Sequence, residues 1–150
     1  VKLKVPPVLV FLSFGLLMYL VTKFLTFGSF DFFGREYLIS FLLGMAIIIT
    51  VLAIFQFYRA RTTVDPSNPE KASALVVTGL YKYSRNPMYL AMLLLLLALG
   101  LLLGNAFNTL VAAGFVAYMN RFQIIPEEQA LLKIFGKEYS RYCINVRRWF

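Results

Sequence analysis

The uncharged run from Asn86 to Asn120, 35 residues long, constrains this chain more than any other feature. As one helix it would extend roughly 52 Å at about 1.5 Å per residue, well past a hydrocarbon core of about 30 Å. A membrane accommodates it only if the chain turns back. Gly104 and Asn105 supply the turn, because both residue types accept the left-handed backbone that ends a helix. The expectation is two short spans, about Pro87 to Leu103 and Phe107 to Ile125, joined as a tight hairpin.

Two further runs precede it. Val5 to Phe27 is span-length with Lys23 near its end, and Tyr37 to Tyr58 holds 22 residues without a charge. Lys2 and Lys4 before the first run resemble the start of a signal peptide, but no small-residue cleavage site follows, so the segment reads as a retained helix. Composition agrees: 60% of residues are hydrophobic and the mean hydropathy is +0.73, above the roughly 45 to 50% apolar usage of soluble domains. The fold class expected is an all-α integral membrane protein with about four transmembrane helices, residues 1–58 carrying two of them and 59–150 the rest of a single domain.

Charge orients it. The first loop holds Asp31, Arg35 and Glu36, whereas the second holds Arg59, Arg61, Lys71, Lys82 and Arg85 against Asp65 and Glu70. The tail adds Arg121, Lys133, Lys137, Arg141, Arg147 and Arg148. The positive-inside rule places both termini and the second loop in the cytoplasm, consistent with the inner membrane of a bacterium or archaeon. A net charge of +8 then suits anionic membrane lipid and argues against a nucleic-acid partner. No histidine is present and Cys143 is the only cysteine, which excludes disulfides, Cys/His metal sites and Ser-His-Asp catalysis. No metal is expected.

Leu132, Phe135, Tyr139, Tyr142, Val146 and Trp149 recur at helical spacing, predicting one C-terminal amphipathic helix on the membrane surface or over the cytoplasmic loop. Thr78-Gly79 reads as a turn, or as a point where backbone closely approaches a ligand. Tyr81, Lys82, Tyr83, Arg85 and Tyr89 have an ordinary reading as an interfacial belt. However, Pro87 is suited to the first helical position, which leaves Arg85 and Asn86 beside free backbone N–H groups, a setting for a carboxylate or phosphate. Glu127 and Glu128 follow the fourth span; they stabilise a helix start or receive a cation. The hairpin brings these two segments side by side, an arrangement suited to a zwitterionic ligand.

"LVVTGLYKYSRNPMYL" and, after the hairpin, "PEEQALLKIFGKEYSRYCINVRRWF" together resemble the isoprenylcysteine carboxyl methyltransferases and their bacterial relatives, a group that includes phospholipid N-methyltransferases. The family pattern is Leu-Val-Thr-x-Gly-x-Tyr, Arg-His-Pro-x-Tyr, then Glu-Glu and Phe-Gly-x-x-Tyr, and the resemblance covers about residues 59 to 150. It implies S-adenosyl-L-methionine held at the cytoplasmic end under the loop and the C-terminal helix. Carried over by position, it implies cofactor contacts from Ser73, Ala74, Leu75, Val76, Tyr81, Asn86, Pro87, Met88, Tyr89 and Glu127. Arg85, Asn86, Tyr89 and Glu128 are the implied catalytic group, and Arg121 and Gln123 the substrate contacts.

Two departures stand out. Asn86 occupies the usual His position and cannot titrate as a base. Gln123 stands where the eukaryotic prenylcysteine enzymes have a substrate-contacting Arg, with Arg121 as the nearest alternative. The implied activity is methyl transfer to a lipidic or prenylated acceptor: a prenylcysteine carboxylate, a phospholipid amine or a small thiol. A non-catalytic membrane scaffold is the reading from another class.

Overall fold

A computed structural model describes residues 5–59 and 75–150. Among them the chain is helical, with no strand beyond an isolated bridge between Ser29 and Asn105. The helices are α1 (Pro7–Phe24), α2 (Arg35–Arg59), α3 (Pro87–Leu103), α4 (Asn108–Met119), α5 (Ile125–Phe135) and α6 (Lys137–Asn145).

α1 and α2 are long and apolar enough to cross a membrane. α1 buries only Pro7, Val10 and Met18, and α2 only Ala46, Ile49 and Ala53. Their other faces present Leu12, Leu16, Phe41, Ile47 and Val51 outward. Apolar exposure on that scale suits a helix whose solvent is lipid.

α3 is the centre of the structure. Ala46 and Ile49 of α2 pack on Ala91, where small side chains let the helix backbones approach closely. α1 and α4 meet its other side around Val10, Met18, Leu96, Val111 and Phe115, with Phe14 set edge-on to Phe115 at 5.6 Å.

The hairpin break falls where expected. Gly104 caps α3 in the left-handed conformation (φ 69°), and the first loop ties the turn down: Phe30 N–H donates to Gly104 O, and Ala106 N–H to Gly28 O, both at 2.9 Å. The buried Asn105 side chain donates to Leu25 O at 2.7 Å and accepts from Phe107 N–H at 2.9 Å.

At the other, polar end two expectations are revised. α4 stops at Met119, but the chain continues through a π-helical turn, Asn120–Ile124, straight into α5. The expected single C-terminal amphipathic helix is two helices and an irregular tail. Gly136 adopts φ 55° and ψ −123°, which divides α5 from α6, and Val146 is extended. The helical spacing persists across the break because α6 restarts immediately beyond it.

Candidate functional site

Four segments meet at the polar end: the 3-10 turn Gly79–Lys82, the start of α3, the π turn with α5, and α6 with the tail. Gly79 takes φ 63°, and a Cβ there would lie 1.3 Å from Gln56 Nε2. Its close approach is therefore to α2. Gln56 donates to Thr78 O and accepts from Leu80 N–H, each at 3.3 Å, so α2 sets the position of the turn carrying Tyr81. Tyr142 of α6 fastens it from the other side, donating to Tyr81 O at 2.5 Å.

Pro87 opens α3 as expected, and one turn in, Tyr89 is buried. Its hydroxyl donates to Glu127 Oε1 of α5. Gln123 of the π turn, 2% exposed, donates to the same carboxylate oxygen at 2.6 Å and to the Tyr89 hydroxyl at 3.2 Å. Burial disfavours the charged carboxylate and raises its pKa from 4.5 to about 7; the bonds from Tyr89 and Gln123 oppose that rise, and Glu128 adds to it. Tyr81 is also buried, and its hydroxyl ionises well above the ordinary range, first through burial and then through the neighbouring Tyr142 and Glu127.

Glu128 behaves differently. Arg148 grips it with two parallel bonds, Nε to Oε1 at 2.9 Å and Nη2 to Oε2 at 3.0 Å, and Arg85 Nη1 lies 3.1 Å from Oε1. The same Arg85 nitrogen donates to Cys143 Sγ at 2.9 Å, and the buried Arg85 Nε has no acceptor among the described residues. The Asn86 side chain does not cap α3; it donates to Arg148 O at 2.9 Å.

Tyr81, Arg85, Asn86, Pro87, Met88, Tyr89, Gln123, Glu127 and Glu128 thus share one end of the hairpin. Leu75 and Val76 run as half-buried irregular chain, and Ser73 and Ala74 lie outside the described residues. Arg121 stands apart, exposed with its guanidinium over the Phe122 ring. Arg148, Trp149 and Asn120 were not singled out as site residues. Trp149 Nε1 donates to Asn120 Oδ1 at 2.9 Å. Arg148 reaches Glu128 through an irregular tail, and no sequence spacing announces such a pair.

What this arrangement offers chemically is a desolvated carboxylate held by a phenol and an amide, beside a partly satisfied guanidinium. Such a carboxylate attracts a cation. Fold and site together define a helical membrane protein with a polar, ionisable centre at one end of its central hairpin. The chain belongs to the phospholipid methyltransferase family, whose model matches residues 35–138, and is a membrane methyltransferase. The match begins with α2, further towards the N-terminus than the sequence motifs reach.

An uncharacterized protein of Haemophilus influenzae is 50% identical over 62 residues, covering 41% of this chain and 98% of that protein. A protein-S-isoprenylcysteine O-methyltransferase of Schizosaccharomyces pombe is 30% identical over 94 residues, covering 63% of this chain but only 40% of the enzyme's length. No solved structure matches.

Proposed function

We propose that the chain uses S-adenosyl-L-methionine to methylate a lipidic acceptor, most simply the carboxylate of an isoprenylcysteine-like molecule, with both termini and the site on the cytoplasmic side and α3 and α4 completing four spans. The observation that carries this reading is Glu127, a desolvated carboxylate with two protein donors on one oxygen. The donor set fits the cofactor, which is a cationic amino-acid nucleoside. Glu127 would hold its positive end, with Tyr89 and Gln123 fixing the carboxylate's direction. Tyr81, Pro87, Met88, Leu75 and Val76 would supply aromatic and apolar contact; the sequence resemblance assigns Ser73 and Ala74, which lie outside the described residues, to the same role.

When bound, the cofactor supplies a methyl group already activated on a sulfonium. The protein's own task is mainly placement, for which intramolecular precedents allow about 7 to 11 kcal/mol. Arg85, whose Nε lacks an acceptor among the described residues, is suited to orient an anionic acceptor. A carboxylate needs no base. Asn86 and Glu128 would shape the rim, since the amide of one and the charge of the other are already engaged by the tail. Gln123 belongs with the cofactor contacts, and the exposed Arg121 is free to meet acceptor at the surface.

A phospholipid amine is the second reading, favoured by the description of the matching family. Such an acceptor must lose a proton, for which Glu128, Tyr89 or water are the candidates, Glu127 being engaged with the cofactor. Membranes supplied with methyl-labelled cofactor separate the two. Label in alkali-labile ester supports the first, label in phospholipid the second, and no incorporation together with no calorimetric binding of S-adenosylhomocysteine at millimolar concentration overturns both.

A further inference from the structure

Residues Val146 to Phe150 leave α6 as irregular chain and cross the polar end from one side to the other. On the α3 side, Arg85 N–H donates to Arg147 O at 3.0 Å and the Asn86 amide donates to Arg148 O at 2.9 Å. On the α4 side, Trp149 donates to Asn120 in the π turn and packs against the cluster containing Tyr89, Met119 and Ile124. Between these anchors the Arg148 guanidinium closes on Glu128, whose neighbour in sequence is Glu127. Tyr89 and Gln123 lie one turn or less beyond the anchor points, at positions 86 and 120.

We propose that residues 146–150 are a strap across the cofactor site, and that Asn86 and Arg148 are positioning residues acting through it: the strap must release to admit and discharge the cofactor. This rests on the cofactor reading above. Each tie is of a kind that opens singly, a neutral hydrogen bond, a paired guanidinium and an indole N–H, so the strap can lift while the six helices stay packed. The carbonyls of Arg147 and Arg148 need a donor from the α3 side, and at position 86 an amide serves that purpose without any titrating group.

Trp149 is the only tryptophan of the chain, so its emission reports the strap directly. With the protein in detergent, Arg148→Gln and, independently, Asn86→Leu should shift the emission to the red. S-Adenosylhomocysteine should then both associate and dissociate faster, about tenfold in Arg148→Gln, which loses the charge-assisted pair, and about fivefold in Asn86→Leu, which loses one neutral bond, with the equilibrium constant changed less than about threefold. Asn86→His, which keeps a donor, should restore the wild-type emission and rates. A purely structural role would instead weaken affinity without speeding association. A red shift with unchanged rates, or no red shift in either variant, overturns the strap. Absence of binding to the wild-type protein overturns the cofactor reading itself.

Discussion

The two ends of the α3–α4 hairpin solve the same problem, polar groups buried at the end of an apolar bundle, in opposite ways. The turn end relies mainly on neutral groups, with the Arg35 guanidinium beside Gly104 paired to an exposed Asp31: Asn105 satisfies Leu25 O and Phe107 N–H, and Asn108 donates to Thr22 Oγ1 at 3.0 Å. The polar end buries ionisable groups, with Glu127, Tyr89, Tyr81 and the Arg85–Glu128–Arg148 ion triad all in contact with neighbouring elements. An amide closes a turn at least as well as a carboxylate does and carries no desolvated charge. The polar end therefore bears a cost that closing the bundle does not require, and the proposed cofactor site accounts for it.

The sharpest break of that comparison is a pair of truncations. Glu127→Ala should weaken S-adenosyl-L-methionine binding about a hundredfold by removing the one desolvated carboxylate of the cofactor reading, with a smaller loss of stability, about 1 kcal/mol, because Tyr89 and Gln123 lose an acceptor but keep their bond to each other. Asn105→Ala should do the reverse, lowering stability by about 2 kcal/mol because Leu25 O and Phe107 N–H lose their partner, with affinity unchanged. Calorimetry and detergent-phase unfolding on both variants decide it. Equal effects on both quantities at both ends would erase the distinction.

A smaller effect follows from protonation. The folded carboxyl of Glu127, raised from 4.5 to about 7, binds its proton more tightly than the unfolded chain does. Its contribution to stability is thus fully present below 4.5 and is lost as pH rises through about 7. Cofactor binding should show the opposite slope, because a cation favours the ionised form. Affinity should rise by up to about tenfold per pH unit below about 7 and level off above it. Titrations across that range on wild-type protein and Glu127→Gln check this; a flat wild-type profile would remove Glu127 as the cation receptor.

Much of the hairpin was legible because its signals are local. Pro87 begins a helix and Gly104 ends one through their own backbone preferences, and once both are placed, the meeting of residues 85–89 with 123–128 follows from antiparallel packing. The division of the C-terminal helix at Gly136 was hidden because the apolar spacing runs through it unchanged. Gly79 gave the turn but not its neighbour, since Gln56 comes from another helix. The grip of Arg148 on Glu128 depends on an irregular tail that no periodicity describes. Which of Arg121 and Gln123 would face inward was equally closed to a reading based on ordinary helical phase.

That last point has a consequence of its own. A π turn holds the equivalent of one residue more than the α-helix around it. If Asn120 to Ile124 wound as ordinary α-helix with every residue kept, α4 and α5 would merge as one regular helix and everything after the turn would rotate by about 100°. Glu127 would then leave Tyr89 and Glu128 would leave Arg85, although every one of those side chains would still be present. Here the site is written in the winding of one turn as much as in residue identities, so what holds Asn120 to Ile124 in the wider turn also holds Glu127 and Glu128 in place.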